Sequence, residues 1–181
     1  MIRIVIAEDQ EMLLGAMGSL LNLEEDMEVV GQARNGEEAI TLVKRLQPDV
    51  CIMDIEMPEK SGLEAAEALK PFGCKVIILT TFARAGYFGR ALKTGVRGYL
   101  LKDSPSEELA SSIRSIIEGK RIYSPELMDD DSCDYGKKME VLELLTNDPI
   151  MNKTPNQQRN TMGTVRKYFS TILDKIKLPA G

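Results

Sequence analysis

Several short apolar runs in this chain end on residues that can do chemistry. Residues 2–7 run into Glu8 and Asp9, and residues 49–53 run into Asp54. Residues 75–79 run into Thr80 and Thr81, and residues 96–101 end at Lys102. If these runs are strands pointing the same way, three carboxylates, a hydroxyl and a lysine gather on one edge. Acids so crowded are costly without a cation, and hard oxygen donors with room for water suit Mg²⁺. A carboxylate beside Mg²⁺ and a lysine is a phosphoryl acceptor, because both cations neutralise the group as it arrives. Taken singly, each residue has a plainer reading: an acid as turn former, a threonine as strand former, a lysine as solvated surface. Joint placement at the ends of alternate runs favours the chemical one.

Composition narrows the alternatives. The chain has no histidine, which excludes a Ser-His-Asp triad, a Cys-His pair, a histidine metal site and an internal phosphohistidine donor. A phosphoryl group must therefore come from a partner. At 43% hydrophobic and 28% charged, the 181 residues can build a packed core. The net charge of -5 confines any nucleic-acid contact to a local basic region. Three cysteines (Cys51, Cys74 and Cys133) without metal-type spacing indicate a reducing compartment, so a cytoplasmic protein is expected. No apolar stretch is long enough for a membrane span, and no signal peptide is expected.

The elements that would position the site follow from periodicity. Strands are expected at 2–7, 28–31, 49–54, 75–80 and 96–101. Helices are expected at 10–22, 35–46, 61–69 and 83–93. The helix at 10–22 carries Met12, Leu13, Ala16, Met17, Leu20 and Leu21 on its apolar side. A fifth helix is signalled by the Ser104-Pro105-Ser106-Glu107 capping box and stopped by Gly119. Alternating strands and helices predict an α/β fold with a parallel sheet covered on both faces. Such sheets do their chemistry beyond the carboxyl ends of the strands. From residue 123 the texture changes. Glu126, Asp129, Asp130, Asp131 and Asp134 read as an acidic linker over 123–137. Beyond Pro149, Lys153, Arg159, Arg166, Lys167, Lys175 and Lys177 invert the balance.

Val5-Ile6-Ala7-Glu8-Asp9, Met53-Asp54-Ile55-Glu56-Met57-Pro58, Leu79-Thr80-Thr81 and Gly98-Tyr99-Leu100-Leu101-Lys102-Asp103 resemble the receiver motifs of two-component response regulators. The Lys-Asp ending and the spacing resemble the NarL/LuxR-type subfamily, and Ile6-Ala7-Glu8-Asp9-Gln10, Cys51-Ile52-Met53-Asp54-Ile55-Glu56-Met57-Pro58 and Lys102-Asp103-Ser104-Pro105-Ser106-Glu107-Glu108-Leu109 resemble its branch that regulates fatty-acid desaturation. The resemblance implies a flavodoxin-like (βα)5 receiver over residues 1–122 with sheet order 2-1-3-4-5. It implies that Asp54 is the phosphoacceptor, served by a sensor histidine kinase. Mg²⁺ would be held by Asp9, Asp54, the backbone carbonyl of Glu56 and, through water, Glu8. Thr80 and Lys102 would close on the phosphoryl group, and Tyr99 would be the aromatic switch that swings inward. Loss of phosphate would be slow, so the chain is not expected to be an enzyme. Phosphorylation would favour a homodimer through the first and fifth helices, with Leu13, Met17, Ile113 and Ile117 as candidates. The output implied is control of transcription, of membrane-lipid genes.

The tail, 138–181, resembles an incomplete LuxR-type helix-turn-helix. Residues 139–145 resemble its first helix. Residues 163–178 resemble its recognition helix, with Thr164, Arg166 and Lys167 as candidate DNA contacts. Asp134-Tyr135-Gly136-Lys137-Lys138 replaces the family's Leu-Thr-x-Arg-Glu. Residues 152–160 lack any apolar residue and contain Pro155, where a supporting helix should be, and the family's last helix is missing. Two outputs stay open: transcription control through promoter DNA, or a phosphoacceptor and dimerisation module with a defective DNA-binding part.

Overall fold

The computed structural model describes residues 1–81, 86–102 and 106–124. The linker and tail readings, including Thr164, Arg166 and Lys167, lie outside these residues, as do Ser104, Pro105 and Asp103. The chain alternates β1 (Ile2–Ala7), α1 (Glu11–Leu21), β2 (Met27–Ala33), α2 (Gly36–Leu46), β3 (Val50–Met53) and α3 (Gly62–Leu69). It continues through β4 (Lys75–Thr80), α4 (Tyr87–Thr94), β5 (Gly98–Leu101), α5 (Ser106–Ile117) and β6 (Ile122–Tyr123). The sheet is parallel, in the order β2-β1-β3-β4-β5-β6. The expected five-strand order is present. A sixth strand, which straddles the expected boundary between receiver and linker, extends it at the β5 edge.

The period of two in a strand sorts the core into two layers. Val5, Ala7, Cys51, Met53, Val76, Ile78 and Tyr99 face α2, α3 and α4. Ile4, Ile6, Val50, Ile52, Ile77, Leu79 and Leu100 face α1 and α5. Each large aliphatic side chain so buried contributes about 1.5–3 kcal/mol. Local signals set several helix starts. The Asn35 side chain accepts the Glu38 amide at 2.8 Å and caps α2. Ser61 and Glu64 form a reciprocal capping box on α3.

The first helix departs from its expected face. Leu14, Met17, Gly18 and Leu21 are its buried residues, whereas Met12 is 63% exposed. The dimer candidates also need correction. Met17 and Ile113 are buried in the core between the sheet and its helices, so a second copy cannot reach them. Leu13 and Ile117 are only partly buried. The resemblance pointed to α1 and α5, and on each helix the more buried candidate, Met17 or Ile113, is taken up by packing on the sheet.

Candidate phosphoacceptor site

Strand register assembles the site. Ala7 pairs with Met53, so Glu8 and Asp54 emerge level with each other, while Met53 pairs with Ile78 and Thr80 with Leu101, so β4 and β5 run two residues further before Lys102 emerges at the same edge. Backbone bonds extend this alignment one step beyond the strands. The Asp54 amide donates to the Ala7 carbonyl at 3.0 Å and the Lys102 amide to the Thr80 carbonyl at 2.8 Å. Glu8, Asp54, Thr80 and Lys102 are all buried, and Asp9 stands exposed at the rim.

Lys102 binds the cluster together. Its Nζ lies 2.6 Å from Glu8 Oε2 and 3.0 Å from Asp54 Oδ2. The other Asp54 oxygen, Oδ1, accepts the Ile55 amide at 2.7 Å, which fixes the carboxylate plane. Burial raises the Glu8 carboxyl above its ordinary range, while the Lys102 hydrogen bond and charge pull it back. Carboxylate oxygens of Glu8, Asp9 and Asp54 lie within 4.8 Å of one another. That is a hard oxygen set with an open, solvent-facing side, and it fits Mg²⁺.

The remaining expected residues are placed differently. Thr80 ends β4 beside this cluster. The Glu56 side chain is exposed and accepts the Tyr87 hydroxyl at 3.4 Å. Tyr99 is buried on the α3–α4 side of the sheet, 1% exposed, with its hydroxyl unpartnered among the described residues. Burial pushes that phenol up to about 12, so it stays neutral. Its ring meets Phe88 edge-to-face at 5.7 Å.

One residue essential to the geometry escaped the sequence reading. A Cβ on Gly62 would collide with the Asp54 carbonyl oxygen and lie 2.9 Å from its carbonyl carbon. The Gly62 amide donates to the Ile55 carbonyl at 3.0 Å. Only glycine lets α3 start this close to the phosphoacceptor candidate. The signal was available as a glycine opening a helix eight residues after an acid-ended strand, but glycine before a helix has many causes.

Comparison with known proteins places this geometry. The response regulator receiver domain family matches residues 4–114. The transcriptional regulatory protein DesR of Bacillus subtilis is 60% identical over 98% of this chain and 92% of its own length. That similarity necessarily reaches beyond residue 124. A DNA-binding response regulator of the LuxR family from Staphylococcus aureus matches with 41% identity and a TM-score of 0.62, covering 65% of this chain and 99% of that one. The signal receiver domain of the putative response regulator NarL from Mycobacterium tuberculosis matches at 28% identity and a TM-score of 0.63, covering 66% and 98%.

Proposed function

This chain belongs to the response regulator receiver family, and from that premise we propose that Asp54 accepts a phosphoryl group from a sensor histidine kinase and that the chain thereby controls transcription. The observation that carries the proposal is Lys102, buried and bridging Glu8 and Asp54 at the sheet's carboxyl edge. Transfer breaks the bond between phosphorus and the donor nitrogen and forms one to an Asp54 carboxylate oxygen. Asp54 Oδ2 is the oxygen facing the cluster, since Oδ1 is engaged by the Ile55 amide. The Lys102 ammonium then has a dianion to pair with in place of a carboxylate. Thr80, at the end of β4, supplies a hydroxyl for a phosphoryl oxygen.

Asp9, Asp54, the Glu56 carbonyl and, through water, Glu8 would hold Mg²⁺. The metal would supply charge neutralisation for the incoming phosphoryl group. The domain is an acceptor with slow loss of phosphate rather than an enzyme turning over a substrate. Residues 1–122 would form the receiver, 123–137 the linker and 138–181 the output. We place the protein in the cytoplasm. Among the described residues no helix is long and apolar enough to cross a membrane.

Phosphorylation should favour a homodimer on the α1–α5 side, with Leu13 and Ile117 as the remaining candidates. Promoter DNA is the proposed output partner, and membrane-lipid genes are the targets the resemblance implies. DesR is named a transcriptional regulatory protein, and its similarity extends into the tail. The apolar-free segment at 152–160 favours the second reading, a phosphoacceptor and dimerisation module with a defective DNA-binding part. Salt-dependent binding of promoter fragments by the phosphorylated chain separates the two. Incubation with a small phosphodonor tests the acceptor itself. An alkali-labile label should form only with Mg²⁺ and should vanish in Asp54→Ala. A label that persists in that variant, at no new position, overturns the proposal.

A further inference from the structure

The buried Tyr99 ring does not stand alone. Phe88 of α4 packs edge-to-face on Tyr99 at 5.7 Å and on Tyr123 of β6 at 5.6 Å, so three rings form a continuous stack. Edge-to-face contacts hold rings in specific mutual orientations. Tyr123 is anchored independently: its hydroxyl donates to the Val96 carbonyl at 3.2 Å, and β6 pairs with β5 through Gly98–Ile122 and Tyr99–Tyr123. The amides of Ile122 and Ser124 donate to the carbonyls of Arg97 and Tyr99 at 3.0 and 2.9 Å. Tyr99 therefore touches the last described strand twice, by backbone and through Phe88.

This arrangement compensates a defect. The Tyr99 hydroxyl has no partner among the described residues, and a buried hydroxyl so placed disfavours the inward rotamer, because water would satisfy it outside. Packing must offset that loss, and Phe88 backed by Tyr123 supplies the ring contacts within it. β6 is only two residues long, so its own ladder is a weak anchor. A weak strand that supports a switch ring is sensitive to the switch, and linkage makes the sensitivity mutual.

We propose that Phe88 and Tyr123 are positioning residues for Tyr99, holding it in its buried rotamer so that docking of β6 and loading of the Asp54 site stabilise each other. This rests on the phosphoacceptor reading above and on the role of aromatic switch that the family resemblance implies for Tyr99. It assigns to β6 the task of passing the state of the site to the chain that leaves the receiver. The strand's register with Tyr99 makes it the natural carrier.

The test uses the full chain with beryllofluoride and Mg²⁺ as the phosphoryl mimic, with saturation followed by fluorine NMR. Hydrogen exchange at the Ile122 and Ser124 amides should slow by roughly 5-fold or more on saturation, the low end of ordinary coupling between sites. Reciprocally, Tyr123→Ala should weaken beryllofluoride binding by a similar factor. Tyr123→Phe keeps the ring, loses the hydroxyl with its bond to Val96 and should bind within about 2-fold of the parent. Phe88→Leu should behave like Tyr123→Ala. A saturated site with unchanged exchange at both amides overturns the proposal while leaving the phosphoacceptor reading intact. Equal affinity in Tyr123→Ala and the parent does the same. Failure of the mimic to bind removes the phosphoacceptor reading and the coupling with it. The exchange measurement on the parent chain decides the matter even if Tyr123→Ala does not fold.

Discussion

Lys102→Met should destabilise the metal-free protein at neutral pH, and Mg²⁺ should restore much of the loss. The Lys102 side chain is 4% exposed and Glu8 is fully buried. At an effective dielectric constant of about 20, the 2.6 and 3.0 Å ion pairs correspond to attractions on the order of 6 and 5.5 kcal/mol. Carboxylate oxygens of Glu8 and Asp54 within 4.8 Å repel by on the order of 3.5 kcal/mol or more. Methionine removes both attractions and leaves the repulsion. The loss is capped, however, because Glu8 can take up a proton. Its carboxyl is already raised by burial from an ordinary 4.5. Neutralising an ordinary carboxyl at pH 7 costs about 1.4 kcal/mol for each pH unit above 4.5, or about 3.4 kcal/mol.

A raised folded-state value destabilises above the unfolded value and ceases to matter below it. The penalty should therefore be at most about 3 kcal/mol at pH 7 and below about 1 kcal/mol at pH 5. With a urea slope near 2 kcal/mol per molar, the midpoint should fall by roughly 1.5 M at pH 7. Mg²⁺ in the Glu8, Asp9 and Asp54 cluster replaces the missing charge, and a hundredfold excess over its dissociation constant adds about 2.7 kcal/mol. The assay is urea unfolding by circular dichroism at both pH values, with and without Mg²⁺. A gap under about 0.5 kcal/mol at pH 7, or one that does not change between pH 7 and pH 5, would show that Lys102 is not what makes the buried acids tolerable.

Gly62→Ala should cost about 3 kcal/mol or more, since its Cβ meets rigid backbone at Asp54; a thermal midpoint close to the parent's would contradict the close approach. Arg114 Nη2 binds Glu24 and Asp26, both at 2.6 Å, and its hydrogen bond holds the Asp26 carboxyl below the usual range. That contribution is present above the ordinary carboxylate value and fades as pH falls through the depressed one, so the urea-midpoint gap between parent and Arg114→Gln should close in acid. Burial pushes the Cys74 thiol up to about 12 and Cys51 well above its ordinary value. Neither should react with a thiol reagent at pH 8 until the protein is unfolded, which peptide mapping of the alkylated sites will show.

The carboxyl-edge cluster was legible because two periodicities fix it. Strands that pair in parallel must bring their carboxyl ends, and so the residues after Ala7, Met53 and Leu101, to one edge, and the chain order of those residues is visible without coordinates. What stayed hidden depends on distances between elements rather than on periods along them. The helical period puts Met17 on the apolar side of α1 and Ile113 on that of α5, but only the packing of both helices on the sheet shows that these sides are spent on the core. The sixth strand was hidden for a related reason. Two residues cannot display a period, so Ile122–Tyr123 carries no strand signal of its own. Its place is set by contacts with distant residues: the β5 backbone, the Val96 carbonyl and the Phe88 ring, which stands between Tyr123 and Tyr99. A short segment whose position is dictated by contacts with other elements takes its conformation from them. The same dependence is what would let β6 respond to a change at Tyr99, and a strand with a strong pattern of its own would respond less.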